Sequence, residues 1–428
     1  MGILIKEVDV LTQNRNRELL RGFDILIQGK RIEKIGRNIK AKAEFKIDGR
    51  GKLVIPGLIN THTHVAMTLF RGYADDMRFW EAWPKRIWPR EKKVKAEDVR
   101  AGSLLGCLEM IRSGTTCFMD NYFFMDEVAE AVKGVGMRAN LAYGMIDMGD
   151  AEKRKRELKI GEELVKDFDG KADGRIRCSF APHAPYTCSE ELLLKAKELA
   201  EKHDALLQIH VAETRKEVFD SLKKSGKRPV EYLDSIGFVN EKVIAAHCVW
   251  ITKREAGMLG SRGAKVSYNP VSNMKLASGG VAPIPQMLES NVCVTFGTDG
   301  AVSNNSLNML ETIKVGALLQ KSHLWDSRVL NAQQALDFAT INGAKALGVD
   351  AGSIEEGKLA DIFLMELGSP NLLPANSLVS NLVYSSNPSN VSDVIVDGKL
   401  VMKDRRILTI DEEKVFEKVR KVSEKFRD

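Results

Sequence analysis

Two of the chain's seven histidines, His62 and His64, stand two apart in "PGLINTHTHVAMTLFRG" (56–72), where a short apolar run ends. On a β-strand residues i and i+2 share a face, so both imidazoles could grip one ion. An isolated HxH is more often one core histidine and one surface histidine. The pattern recurs, however: His210 ends "LLQIH", His247 ends "VIAAH" and Asp299 ends "VTFGTD". Imidazole nitrogen with one carboxylate suits Zn2+ or Fe2+ rather than Mg2+ or Ca2+, which prefer oxygen shells. With a water completing the shell, such a site is of the catalytic kind, since a structural zinc site is closed.

Something must bring these residues to one rim. Between about 58 and 348, eight strand-like runs alternate with helical ones: "LINTHTHV", "TTCFMDNY", "RANLAYGM", "IRCSFAPHA", "LLQIHVAE", "VIAAHCVW", "AKVSYNPVS" and "VCVTFGTDG". Continuous apolar runs fit parallel strands covered on both faces, and eight such units close into a (β/α)8 TIM barrel whose chemistry sits at the C-terminal mouth. The first 55 residues read as short strands with turns at Gln28-Gly29 and Asp48-Gly49. The far end is built alike, since "DILIQGKRIEKI" resembles "DVIVDGKLVMKD" as if two hairpins shared a sheet, and an amphipathic helix at about 411–427 follows. The expected organisation is an α/β chain with a β-sandwich in two parts, 1–57 and 349–428, around a barrel at 58–348.

Composition narrows the function classes. Lys plus Arg exceeds Asp plus Glu by only 64 against 58, mostly in interspersed segments that read as solvated helix faces, which argues against nucleic acid as a partner. No apolar run approaches the roughly 18–20 residues of a membrane span, and the N-terminus lacks a signal peptide's apolar segment, so a cytoplasmic location is expected. The six cysteines show no CxxC spacing and read as reduced core thiols. Self-association into a homo-oligomer is left open.

The motifs "PGLINTHTH", "APHAPYTCSEE", "IHVAET", "AAHCVW", "VSYNPVSNMKLASGGVAP", "GTDGAVSNNSLNMLE" and "GSIEEGKLADI" occur in this order along the chain. Together they resemble the amidohydrolase superfamily, specifically its methylthioadenosine/S-adenosylhomocysteine deaminase branch, over essentially the whole length. The resemblance implies one divalent metal per chain, Zn2+ before Fe2+, held by His62, His64, His210 and Asp299. It implies Glu213 as proton shuttle to adenine N1, His247 beside the metal as orienter, and Asp299 with His247 deprotonating the attacking water. Glu91 would hold the ribose, as a carboxylate can accept from two vicinal hydroxyls, and His183 would contact the substrate. Binuclear members bridge two metals with a lysine of the fourth strand, but "CSFAPHAPY" contains none.

The implied reaction is hydrolytic deamination at C6 of an adenosine-type nucleoside. Where some members place an arginine for the homocysteine carboxylate, "LAYGMID" offers Tyr143, with Arg154 and Arg156 further on. That departure favours 5′-deoxyadenosine or methylthioadenosine over S-adenosylhomocysteine. The segment holding Trp80, Trp83 and Trp88 is either packing over the mouth or a lid that stacks on a base. The rival readings are another hydrolase on the same site, such as a guanine or pterin deaminase or an aryl chlorohydrolase, and a metal-binding scaffold without catalysis.

Overall fold

A computed structural model describes residues 2–427, with Phe79 described by its backbone alone. Eight parallel strands run in order around a barrel: Leu58–Thr63, Thr115–Tyr122, Arg138–Met145, Ile176–Pro182, Leu206–Val211, Val243–His247, Lys265–Tyr268 and Cys293–Phe296. These are the eight runs expected, trimmed at their ends. The first two strands are buried at every position, as strands covered on both faces must be. The covering helices are amphipathic. In Met125–Val135 the buried residues Met125, Val128, Ala129, Val132 and Val135 recur at helical spacing. Side-chain caps fix where helices begin, as when Ser189 Oγ accepts from the Leu192 amide at 3.1 Å.

The barrel is nearly closed. Strands are laddered from the first to the eighth, but the eighth meets the first through a seam of single hydrogen bonds. Across it the Asp299 amide donates to the His62 carbonyl at 2.9 Å, Thr61 Oγ1 donates to the Phe296 carbonyl at 3.0 Å, and Asn60 Nδ2 donates to Thr298 Oγ1 at 2.7 Å.

The chain ends build a second, mixed sheet of nine strands. Its strands form one hydrogen-bonded network, with Phe45–Asp48 branching off the main path to pair with Gly2–Leu11. Its curvature lets Ile25, Ile27 and Ile32 near one end share an apolar cluster with Ile362, Leu364, Ile395 and Leu400 near the other. The two similar hairpins do share this sheet, and their turns touch: a Cβ on Gly398 would lie 2.0 Å from the Gly29 carbonyl oxygen. The last helix, Glu412–Ser423, continues into a turn that buries Phe426 edge-on against Phe70, with ring centroids 5.3 Å apart. Among the described residues no helix is long and apolar enough to cross a membrane.

Candidate metal and catalytic centre

All the parallel strands point the same way, so residues at their C-terminal ends meet at one mouth. His62 lies in the first strand and His64 just past it; His210 and His247 come from the fifth and sixth, and Asp299 follows the eighth. Asp299 adopts a left-handed φ of +62°, which turns its carboxylate back toward the first strand. Its Oδ1 lies 3.6 Å from His62 Nε2 and 3.2 Å from His64 Nε2. Its Oδ2 accepts from Ser272 Oγ at 2.6 Å and Ser303 Oγ at 2.7 Å, which fixes the carboxylate's rotation.

Hydrogen bonds on the far side of each ring decide what faces the centre. His64 Nδ1 lies 2.7 Å from the Asn121 carbonyl and His210 Nδ1 lies 2.7 Å from the His183 carbonyl. A carbonyl only accepts, so both Nδ1 atoms carry hydrogen, and in the neutral rings both Nε2 atoms present lone pairs. Those lone pairs stand 3.4 Å apart, with the Asp299 carboxylate alongside. Neither ring nitrogen of the buried His62 has a hydrogen-bond partner among the described residues. Ring nitrogens crowded around one carboxylate oxygen fit a cation when the rings are neutral, so His62, His64, His210 and Asp299 could hold a divalent metal.

His247 is built the other way. Its Nδ1 receives the side-chain amides of Asn273 at 3.0 Å and Asn269 at 3.3 Å, and Asn269 Oδ1 in turn accepts from Ser267 Oγ. The hydrogen is then on Nε2, which faces Glu213 Oε2 at 4.0 Å. His62, His247 and Asp299 also lie close enough together to hold an ion. A ring whose inward nitrogen carries hydrogen, however, offers a donor there rather than a ligand lone pair.

Burial sets the charge states around the centre. Glu213 is pushed up to about 8, first by desolvation and then by the Asp299 charge, so near neutrality its carboxyl is largely protonated. His183 and His247 are each held down to about 4, chiefly by burial. Asp299 is well below the carboxylate range and His64 is pushed up to about 9: burial opposes both shifts, but the attraction between the two groups, 3.2 Å apart, outweighs it.

The outer residues take their places around this cluster. Glu91 ends the helical turn Trp88–Glu91, its Oε1 accepting from the Tyr122 hydroxyl at 2.9 Å, and desolvation raises its pKa. The His183 ring lies 4.8 Å from that of His210, centroid to centroid, and its Nδ1 meets Thr187 Oγ1 at 2.8 Å. Trp80 sits edge-on to Tyr186 at 6.3 Å, and Tyr186 stands 6.0 Å from His183, so the aromatic segment reaches the mouth through Trp80. Trp88 is half exposed. Arg154 is engaged by Asp147 at 3.2 Å and Glu191 at 2.9 Å, while Arg156 projects largely into solvent.

The profile of the Amidohydrolase family matches residues 53–401. The chain belongs to the amidohydrolase family. A 5′-deoxyadenosine deaminase of Methanocaldococcus jannaschii is 50% identical over 99% of this chain and 100% of its own. A 5-methylthioadenosine/S-adenosylhomocysteine deaminase of Thermococcus onnurineus is 46% identical over 95% of each chain. Among solved structures, an adenosine deaminase of Xanthomonas campestris with bound zinc superposes with a TM-score of 0.93 at 32% identity, covering 99% of this chain and 98% of the other.

Several residues of this amidohydrolase that position others escaped the sequence reading. Glu217 is buried, and its two oxygens accept from the Ala212 and Glu213 amides at 2.8 and 2.9 Å, fixing the backbone that carries Glu213. Its signal was present as the T-x-x-E pattern Thr214 to Glu217 at a helix start. Asn269, Ser272 and Asn273 lie within the quoted "VSYNPVSNMKLASGGVAP", but nothing in their spacing said which ring or carboxylate they would reach.

Proposed function

We propose that this amidohydrolase deaminates C6 of adenosine-type nucleosides, with 5′-deoxyadenosine and 5′-methylthioadenosine preferred, releasing ammonia and the inosine analogue. The observation that carries the reading is the convergence of the His62, His64 and His210 ring nitrogens on the Asp299 carboxylate, beside one buried, protonated carboxyl. The relatives named for the same chemistry over nearly the full chain support it.

His62, His64, His210 and Asp299 would hold one divalent ion, zinc by the nitrogen-rich donor set and by the metal bound in the similar adenosine deaminase. When bound, such an ion lowers the pKa of a coordinated water to roughly 7. Glu213 gives its proton to ring N1, which draws electrons from C6 and makes it electrophilic. His247, protonated on Nε2, donates toward the oxygen that adds at C6, and its Asn269 and Asn273 partners hold that tautomer. Asp299, locked by Ser272 and Ser303, keeps one oxygen turned inward to take the proton of the adding water and pass it to the C6 amine. As the C6–N bond breaks and ammonia leaves, the remaining hydroxyl proton returns to Glu213. Glu91 accepts from the ribose hydroxyls and His183 borders the bound nucleoside.

The preference at the 5′ end follows from spent charges. Arg154 is bound by two carboxylates, Tyr143 is paired with the buried Glu157, and Arg156 projects outward. A homocysteine carboxylate would lose water without gaining a free cation from these residues, which is costly. Ammonia release from a panel of 5′-deoxyadenosine, methylthioadenosine, S-adenosylhomocysteine, adenine and guanine tests this. The expected order of kcat/KM places the first two highest and adenine, lacking the ribose, far lower, on the order of 10⁴-fold. S-adenosylhomocysteine as best substrate would overturn the 5′ assignment, and guanine as best would overturn the nucleoside reading.

A further inference from the structure

The opposite end of the barrel holds a second polar site. A groove of about 360 Å3 opens at the N-terminal ends of the third to seventh strands. Its lining includes four cationic side chains, Arg177, Lys242, Lys265 and Lys345, against two carboxylates, Asp204 and Glu241. Arg177 and Lys242 have partners in Asp169 at 2.8 Å and Asp204 at 2.6 Å. The other two cations have no such partner. Lys265, half-buried, donates to the Glu241 backbone carbonyl, and Lys345 makes no hydrogen bond or ion pair among the described residues. Burial lowers the pKa of Lys265, opposed by Cys293 and the Glu241 carboxylate and assisted by the repulsion of Lys345.

An independent observation points into the same groove. Asn140, in the third strand, is 5% exposed, and its Oδ1 has no hydrogen-bond partner. A buried side-chain amide is normally satisfied, and leaving one unpaired costs about 1–3 kcal/mol. Asn140 lines this groove and also an adjoining cavity of about 150 Å3 that shares Arg177, Leu347 and Gly348 with it. Two ammonium groups without an ion pair at contact distance and an amide that can both donate and accept are complementary to a phosphate oxyanion. Lysine serves phosphate as a point charge, and hydrogenphosphate carries one P–OH that an amide oxygen can accept.

We infer that this groove, remote from the histidine cluster, binds a small phosphate-type anion through Lys265, Lys345 and Asn140. The ligand is free phosphate or the phosphate of a sugar phosphate, and binding stabilises the folded barrel by occupying its floor. The groove and its ligand are independent of the reaction assigned to the mouth.

The test uses the metal-loaded full chain at constant ionic strength, titrated with inorganic phosphate, ribose 5-phosphate and ribose, followed by calorimetry and melting temperature. Saturable binding of about one equivalent of either phosphate compound, with none of ribose, is expected. Tighter binding of ribose 5-phosphate would identify a sugar phosphate as the ligand; the reverse would identify the free anion. K265Q/K345Q should weaken binding at least tenfold with nucleoside turnover unchanged, and K345E, at an exposed position, should do the same if the double variant folds poorly. Absence of saturable binding, binding of ribose alone, or undiminished affinity in both variants would overturn the inference.

Discussion

Glu213 is where residue chemistry is most exposed to test. Its carboxyl is raised from 4.5 to about 8 by burial, so as a proton donor it works below that value, and kcat/KM should fall on the alkaline side near pH 8. Glu213→Gln keeps the shape but not the proton: metal content should be retained while kcat falls about 10²–10⁴-fold, measured by ammonia release and metal analysis. Stability should move oppositely. Because the folded pKa is the higher, the native state holds a proton that the unfolded chain has already lost above about 4.5, so stability falls as pH rises from there toward 8. Glutamine does not titrate. Metal-free Glu213→Gln should therefore melt above the metal-free wild type at pH 8–9, with the gap closing on acidification; no gap would mean that the carboxyl is not desolvated.

At the scale of elements, each reacting group depends on a strand end and on the turn behind it. Gly297 follows the eighth strand, and a Cβ there would lie 2.4 Å from Asn269 Oδ1, 2.6 Å from Ser267 Oγ and 2.8 Å from His62 Cβ. Gly297→Ala should thus cost bound metal and turnover together, read by metal stoichiometry, although the methyl group touches no substrate. The strands and the rim residues His62, His64, His210, His247 and Asp299 were legible in the sequence because apolar runs ended in polar residues. Their supports were not. Glu217 and Asn273 act across turns, and Ser303 reaches Asp299 from the short helical turn Ala301–Asn304, so their partners depend on backbone turns that no periodicity encodes. The Trp80–Trp88 segment was legible as aromatic and close to the mouth, but its partition between Trp80, packed against Tyr186, and the half-exposed Trp88 depends on a fold of short helical turns.

For the whole molecule, the decisive feature is the seam between the first and eighth strands. Both sides contribute to the candidate metal site, His62 and His64 from one and Asp299 from the other, so a metal there joins the two ends of the ladder. Exhaustive chelation should abolish turnover and lower the melting temperature, and the shift should be larger than in Asp299→Ala, which already lacks the joint; equal shifts would place the stabilising ion elsewhere. The (β/α)8 order was readable from eight alternating runs, and a second sheet from the hairpin likeness of the two ends. The contact between the turns at Gly29 and Gly398 was not, because it joins positions far apart in sequence. The seam also gives catalysis a place in the history of folding. A chain with seven strands paired and the eighth still loose would have most of its helices and core, yet would lack the full set of groups that could capture an ion. The appearance of activity during refolding should then lag the recovery of helical signal, making turnover a clock for the closing of the ring.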